Sequence, residues 1–157
     1  MSSNISDNYA KYFIKFNEID HKQYEIAASS YETNYGTLLV NHHDAKILDI
    51  GCGMGHFLYY LKTRGYKNFS GIDLGETQVD FCKKYFTKDV ELANASEYLK
   101  YHENEYDVIV MNDVIEHIVK DDVMDLLKLV KKSLKKDGIF LIKTINMSNP
   151  FGLNSRY

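Results

Sequence analysis

Residues 47 to 57, Ile-Leu-Asp-Ile-Gly-Cys-Gly-Met-Gly-His-Phe, constrain this chain more than any other stretch of it. A strand-like run, Ile47 to Ile50, leads into Gly51, Gly53 and Gly55. The glycines open an amphipathic stretch from His56 to Arg64. Strand, glycine-rich turn and helix form the unit with which an α/β fold holds a nucleotide-like ligand.

The ligand follows from the misfits to the dinucleotide pattern G-x-G-x-x-G. Gly51 and Gly53 fit it, but the third position holds His56, and Gly55 comes one residue early. Asp49 lies two residues before the turn, where a carboxylate repels a pyrophosphate and suits an ammonium or a sulfonium. A second strand, Asn68 to Asp73, ends in a carboxylate able to accept two hydrogen bonds from ribose hydroxyls. An adenosine with a cationic, phosphate-free tail is S-adenosylmethionine. A bare structural turn would explain the glycines but not the two carboxylates. Asp73 as a mere helix cap is the weaker reading, because Gly75 can cap the helix that follows.

From Lys46 onward, strand and helix patterns alternate. Strands are expected at 46–50, 68–73, 89–93, 106–111 and 138–145, and helices at 55–64, 76–86, 95–103 and 120–135. Such alternation implies parallel pairing with right-handed crossovers. Val108 to Met111 is apolar on both faces, as a central strand should be. In the last helix Val123, Leu126, Leu127, Val130 and Leu134 recur at helical spacing. Asp121 and Asp122 at its start and Lys131, Lys132, Lys135 and Lys136 at its end suit the helix dipole. Residues 9 to 43 carry Tyr9, Tyr12, Phe13, Phe16, Tyr24, Tyr31 and Tyr35 on loosely helical spacing. They form either the buried face of a packing helix, the favoured reading, or a lid over the ligand.

With ILDIGCGMGHF, the ribose strand GIDLG, YDVIVMNDVIEHI at 106 to 118 and KKDGIFLIKTIN at 135 to 146, the chain resembles class I S-adenosylmethionine-dependent methyltransferases. It is most similar to small bacterial enzymes acting on small molecules or surface polysaccharide. The likeness covers about residues 30 to 157. It implies a Rossmann-like α/β fold, a parallel sheet in the order 3-2-1-4-5 with helices on both faces. Residues 44–157 would be the cofactor-binding core, and residues 1–43 a helical segment packing on or lidding the site. The implied cofactor contacts are Asp49, Gly51, Cys52 and Gly53 in the turn, and Asp73 and Leu74 at the ribose. Asn94 and Ala95 would meet the adenine, and Asn112 the methionine part. The family often has an aspartate at position 94; Asn94 can still accept a bond from the adenine amino group, or can cap the following helix, or both.

His117 is the candidate general base, since imidazole titrates near neutral pH. The alternative is a histidine that packs and orders its loop. Asn112-Asp113-Val114-Ile115 lacks the proline pair with which nucleobase and protein amine methyltransferases hold a flat amine. A net charge of −3 and a pI near 6.1 also argue against a nucleic-acid footprint. The expected acceptor is a small molecule or saccharide; the rival reading is a non-catalytic S-adenosylmethionine-binding or assembly module. His42 and His43 lack partners at ligand spacing, so no metal is expected. Two cysteines without a disulfide frame, no spanning apolar run and no signal peptide suit a cytoplasmic protein. The family's last two strands, an antiparallel hairpin, are expected to be absent. That would leave Ile139 to Ile145 as an apolar edge through which a homodimer can form.

Overall fold

The alternating half of the sequence builds one parallel sheet. The structure, a computed structural model, describes residues 19–39 and 43–144. Strands β1 (Ile47–Ile50), β2 (Phe69–Asp73), β3 (Val90–Leu92), β4 (Tyr106–Asn112) and β5 (Leu134–Lys143) lie in the order β3-β2-β1-β4-β5. Every pairing is parallel. The helices are α1 (His21–Leu39), α2 (His56–Thr63), α3 (Glu76–Tyr85), α4 (Ala95–Leu99) and α5 (Lys120–Ser133), with a 3-10 turn at Ile115–His117. This is the Rossmann-like order expected. The connections reverse direction between β1 and β4, so a crevice opens at the carboxyl ends of these strands.

β1 and the middle of β4 are buried on both faces, which is why Val108 to Met111 read as an unbroken apolar run and β1 is apolar apart from Asp49. Ile47, Val108 and Val110 pack with residues of α1, α2 and α3. Leu48, Ile50, Ile109 and Met111 pack with Leu99 of α4 and Leu126 and Val130 of α5. Burying each such aliphatic side chain stabilises the fold by about 1.5–3 kcal/mol.

α1 starts at Asp20, whose Oδ1 accepts from the backbone N–H groups of Lys22 (3.1 Å) and Gln23 (3.3 Å). Its buried residues Tyr24, Ala28, Tyr35 and Leu39 recur at helical spacing. Of the tyrosine stripe, Tyr24 and Tyr35 are thus buried; Tyr9, Tyr12, Phe13 and Phe16 lie outside the described residues. α1 also corrects the reading of α2 as amphipathic. Phe57, Leu58, Tyr59, Tyr60 and Leu61 are all buried, because α1 covers the side of α2 that faces away from the sheet. Tyr31 meets Phe57 edge-on with centroids 5.1 Å apart, and the Tyr59 hydroxyl donates to Glu25 Oε1 at 2.5 Å.

Two boundaries differ from expectation. α4 ends at Leu99, not 103, because the N–H groups of Asn104 and Glu105 donate to Lys132 and Ser133 carbonyls at the end of α5 (both 2.9 Å). α5 ends at Ser133 and the chain is strand-paired from Leu134, with a register shift opposite Tyr106 and Val108. Lys135 is thus no helix-terminal charge: its Nζ binds Asp107 Oδ2 at 2.8 Å. Helical spacing at Leu134 cannot reveal this, since a strand residue facing the same core has the same apolar character. The far end of the expected strand, Ile145, and the tail beyond it lie outside the described residues.

Candidate functional site

The glycine turn is held by its backbone. The N–H groups of Gly51 and Cys52 both donate to the Ile72 carbonyl, at 2.8 and 3.0 Å, tying the turn to β2. Gly51 and Gly53 have φ of 70° and 50°, in the left-handed region. A Cβ at Gly51 would also collide with Val114 Cγ2, whereas one at Gly53 would meet nothing within 4 Å. Gly51 is thus required by the fold, and Gly53 faces open space. Gly55 does the work of the displaced third glycine: a Cβ there would come within 2.5 Å of Phe86 and 2.8 Å of Cys82, so it lets α3 pack against the turn. His56, in the regular third position, stacks on Tyr24 at 4.4 Å, and burial lowers its pKa.

Asp73 organises the turn from the tip of β2. Its Oδ2 accepts from Gly53 N–H and its Oδ1 from Gly75 N–H, both at 2.8 Å. Each oxygen keeps a further lone pair for a ligand. Asp49, on the neighbouring strand, is only 2% exposed. No hydrogen bond to its carboxylate exists among the described residues. Burial, and then the nearby Asp73, push its pKa well above the usual carboxylate range.

Asn94 caps α4, its Oδ1 accepting from the N–H groups of Ser96 (2.9 Å) and Glu97 (3.3 Å). The cap uses both lone pairs of the amide oxygen that was expected to take the adenine amino group, and leaves its NH2 free. A cleft of about 750 Å³ is lined by Gly51, Asp73, Leu74, Asn94, Ala95 and His117, among others. Six predicted residues therefore share one cavity. Its far wall comes from α5 through Asp122, Asp125, Leu126 and Leu129. Gly53, Cys52, Asp49 and Asn112 do not line this cleft. Cys52 is a packing residue: its hydrogen bond with Cys82, then burial, push the thiol pKa up.

Asn112 ends β4. The Tyr35 hydroxyl donates to its Oδ1 at 2.6 Å, while its Nδ2 is buried without an acceptor. Next to it, Asp113 takes a left-handed φ of 54°. Lys143 holds it there twice, its carbonyl accepting from Asp113 N–H and its Nζ binding Asp113 Oδ2, both at 2.8 Å. His117 is exposed on the 3-10 turn. Sequence reasoning missed Val114 and Lys143 as neighbours of the site and offered Tyr35 only through the less favoured lid reading of the tyrosine stripe. Tyr35 stands 77 residues from its partner, and no local pattern joins them.

No group of three His, Cys, Asp or Glu among the described residues is placed to hold a metal. His43 stacks on Tyr66 at 4.7 Å, and His42 lies outside the described residues. No helix among the described residues is long and apolar enough to cross a membrane.

Residues 48–142 match the family described as a methyltransferase domain. The chain is 33% identical over 109 residues to a ubiquinone biosynthesis O-methyltransferase of Rickettsia bellii (strain OSU 85-389), covering 66% of this chain and 43% of that protein. It is 31% identical over 109 residues to a tRNA U34 carboxymethyltransferase of Sulfurimonas denitrificans, covering 66% of this chain and 36% of that protein. Among solved structures, a SAM dependent methyltransferase from Archaeoglobus fulgidus superposes with a TM-score of 0.75 at 25% identity. That match covers 93% of this chain and 62% of that one. The chain thus spans 36% and 43% of those two curated relatives. It belongs to the methyltransferase domain family, in the class I, S-adenosylmethionine-dependent group. The residues present fit that cofactor. Gly53 leaves open space, Asp49 is a buried carboxylate and, among the described residues, the Asn112 Nδ2 lacks an acceptor.

Proposed function

We propose that this chain binds S-adenosylmethionine and transfers its methyl group to a small-molecule or saccharide acceptor. The observation that carries the reading is Asp49, a buried carboxylate with no hydrogen-bond donor among the described residues, one strand away from the ribose-type carboxylate Asp73. Such a pair suits an adenosine with a cationic tail and opposes a pyrophosphate. Asp73 would take the ribose hydroxyls, with Leu74 beside it. Backbone N–H groups near Ala95 and the free NH2 of Asn94 would face the adenine ring. Gly51, Cys52 and Gly53 would give close backbone approach, and Asp49 would meet the ammonium.

When bound, the cofactor would supply a methyl carbon activated by its sulfonium, with the thioether sulfur as leaving group for in-line displacement by the acceptor. The protein's share is alignment, worth up to about 7–11 kcal/mol in favourable cases. His117 lines the cleft and can take the proton an O–H acceptor loses, with no hydrogen bond to its imidazole among the described residues. Asp113, Asp122 and Asp125 also line the cleft with Lys100, Asp113 and Asp125 being paired with Lys143 and Lys128. A net charge of −3 on the chain disfavours a phosphate backbone. The tRNA-directed name of one relative is therefore not carried over, and the ubiquinone-pathway name of the other agrees better with a small acceptor. Calorimetric titration tests the reading: S-adenosylhomocysteine should bind and NAD should not. Binding of NAD alone would overturn it. Methyl release on candidate acceptors then separates an enzyme from a cofactor-binding module.

A further inference from the structure

On the α1 side of the sheet lies a polar cluster that the cleft does not contain. Asp49, Val110 and Asn112 share one face, because Asp49 pairs with Val110 and side chains alternate along β4. Over that face α1 lays Tyr31 and Tyr35, with rings 6.0 Å apart. Burial raises the pKa of both hydroxyls, and the Asp49 and Asp113 carboxylates raise it further, so both stay protonated donors. Tyr35 spends its proton on Asn112 Oδ1 at 2.6 Å. That bond fixes the plane of the amide and leaves Nδ2 as a buried donor with no acceptor. A buried donor without an acceptor and a buried carboxylate without a donor among the described residues therefore sit on one face, two residues apart in register. Together they complement a zwitterion, whose carboxylate would meet Asn112 and whose ammonium would meet Asp49.

The position of that zwitterion follows from the strand order. Asp73 and Asn94, at the ends of β2 and β3, take the adenosine side of the crevice. The opposite end of the ligand then points across β1 toward β4, to Asp49 and Asn112. α1 is joined to the same region at a second point, where the buried Tyr24 hydroxyl donates to the Met54 carbonyl of the turn at 2.6 Å.

We infer that Tyr35 is a positioning residue for the amino-acid end of the cofactor, orienting the Asn112 amide toward that carboxylate. α1 is then part of the binding machinery and not only a cover for α2. The inference rests on the cofactor reading above.

The test compares two probes by titration calorimetry, S-adenosylhomocysteine and 5′-methylthioadenosine, which lacks the amino-acid end. Tyr35→Phe keeps the ring and removes only the hydroxyl. Loss of one hydrogen bond of this kind should weaken S-adenosylhomocysteine about five- to tenfold, with 5′-methylthioadenosine changed less than about twofold. In an Asn112→Ala background the Tyr35→Phe effect should vanish, as expected for residues acting as one unit. Equal weakening of both probes would assign Tyr35 to general packing and overturn the inference, as would no change in either. If Tyr35→Phe does not fold, Asn112→Ala must show the same selective loss for the inference to stand. A wild-type chain that binds neither probe would overturn the cofactor reading itself, and the inference with it.

Discussion

Replacing Asp49 with asparagine should stabilise the ligand-free protein and cripple ligand binding. The side chain is 2% exposed, and its pKa is raised, by burial first and Asp73 second. The native state thus holds this proton more tightly than the unfolded chain does. The stability Asp49 contributes is fully present below the unfolded carboxyl pKa and is lost as pH rises through the raised native one. Near neutral pH the folded protein carries an uncompensated buried group, which costs about 1–3 kcal/mol or more. Asparagine has the same shape and no charge to bury. For a chain of this size each kcal/mol moves the midpoint by roughly 2–4 °C. Asp49→Asn should therefore unfold roughly 2–10 °C higher than wild type at pH 7.5, with the gap closing toward pH 4. Binding should move the other way. A hydrogen bond between a carboxylate and an ammonium is worth about 1.5–3 kcal/mol, so S-adenosylhomocysteine should bind roughly ten- to a hundredfold more weakly. Scanning calorimetry across pH and titration with S-adenosylhomocysteine read the two effects separately. A variant less stable than wild type at neutral pH, with undiminished affinity, would refute the assignment of Asp49 as a ligand carboxylate.

Gly51→Ala should cost at least about 1–2 kcal/mol from its left-handed backbone, and more from the collision with Val114, lowering the melting midpoint. Gly53→Ala has a similar backbone strain but no neighbour to strike, so its larger effect should be on S-adenosylhomocysteine affinity. Equal stability losses with unchanged affinity would remove Gly53 from the site. If His117 is the base, His117→Ala should slow turnover on an O–H acceptor by about 10²-fold or more, with cofactor affinity intact; unchanged turnover would leave it a loop residue. Association through β5 is also proposed, since β5 pairs only with β4 among the described residues and Ile142 is 43% exposed. Sedimentation should then show wild type self-associating with concentration and Ile142→Lys remaining monomeric, whereas a monomeric wild type at every concentration would end that idea.

What could be read from the sequence was whatever a short segment decides by itself. The strand at residues 108–111 announces its burial through four consecutive apolar residues. The turn announces itself through glycines whose φ other residues resist, and Asp73 through its place at a strand tip. Parallel pairing followed from the alternation of strands and helices, and the sheet order from the family resemblance. Decisions made between distant segments stayed hidden. α2 looks amphipathic in sequence because nothing in it records that α1 lies across its outer side. Leu134 carries on a helical spacing, yet pairing with β4 takes it into a strand.

The same division explains the state of the site. Its proposed adenosine half is built from strand ends and the loops that follow them, Asp73 lying before the start of α3 and Asn94 and Ala95 at the start of α4. Its other half is assembled across the sheet from α1, β1 and β4, and its residues read separately as core. Tyr35 looks like one more buried aromatic until the Asn112 amide is found 2.6 Å away. Asn112 in turn looks like a strand terminus until its NH2 is found without an acceptor. A buried polar atom left unsatisfied costs about 1–3 kcal/mol, which a fold tolerates where a ligand restores the bond. Asn112 Nδ2 carries such a cost, and the buried Asp49 carboxylate shares its face. On the proposed reading a single zwitterion would meet both, and that pairing would tie the packing of α1 to the chemistry of the crevice.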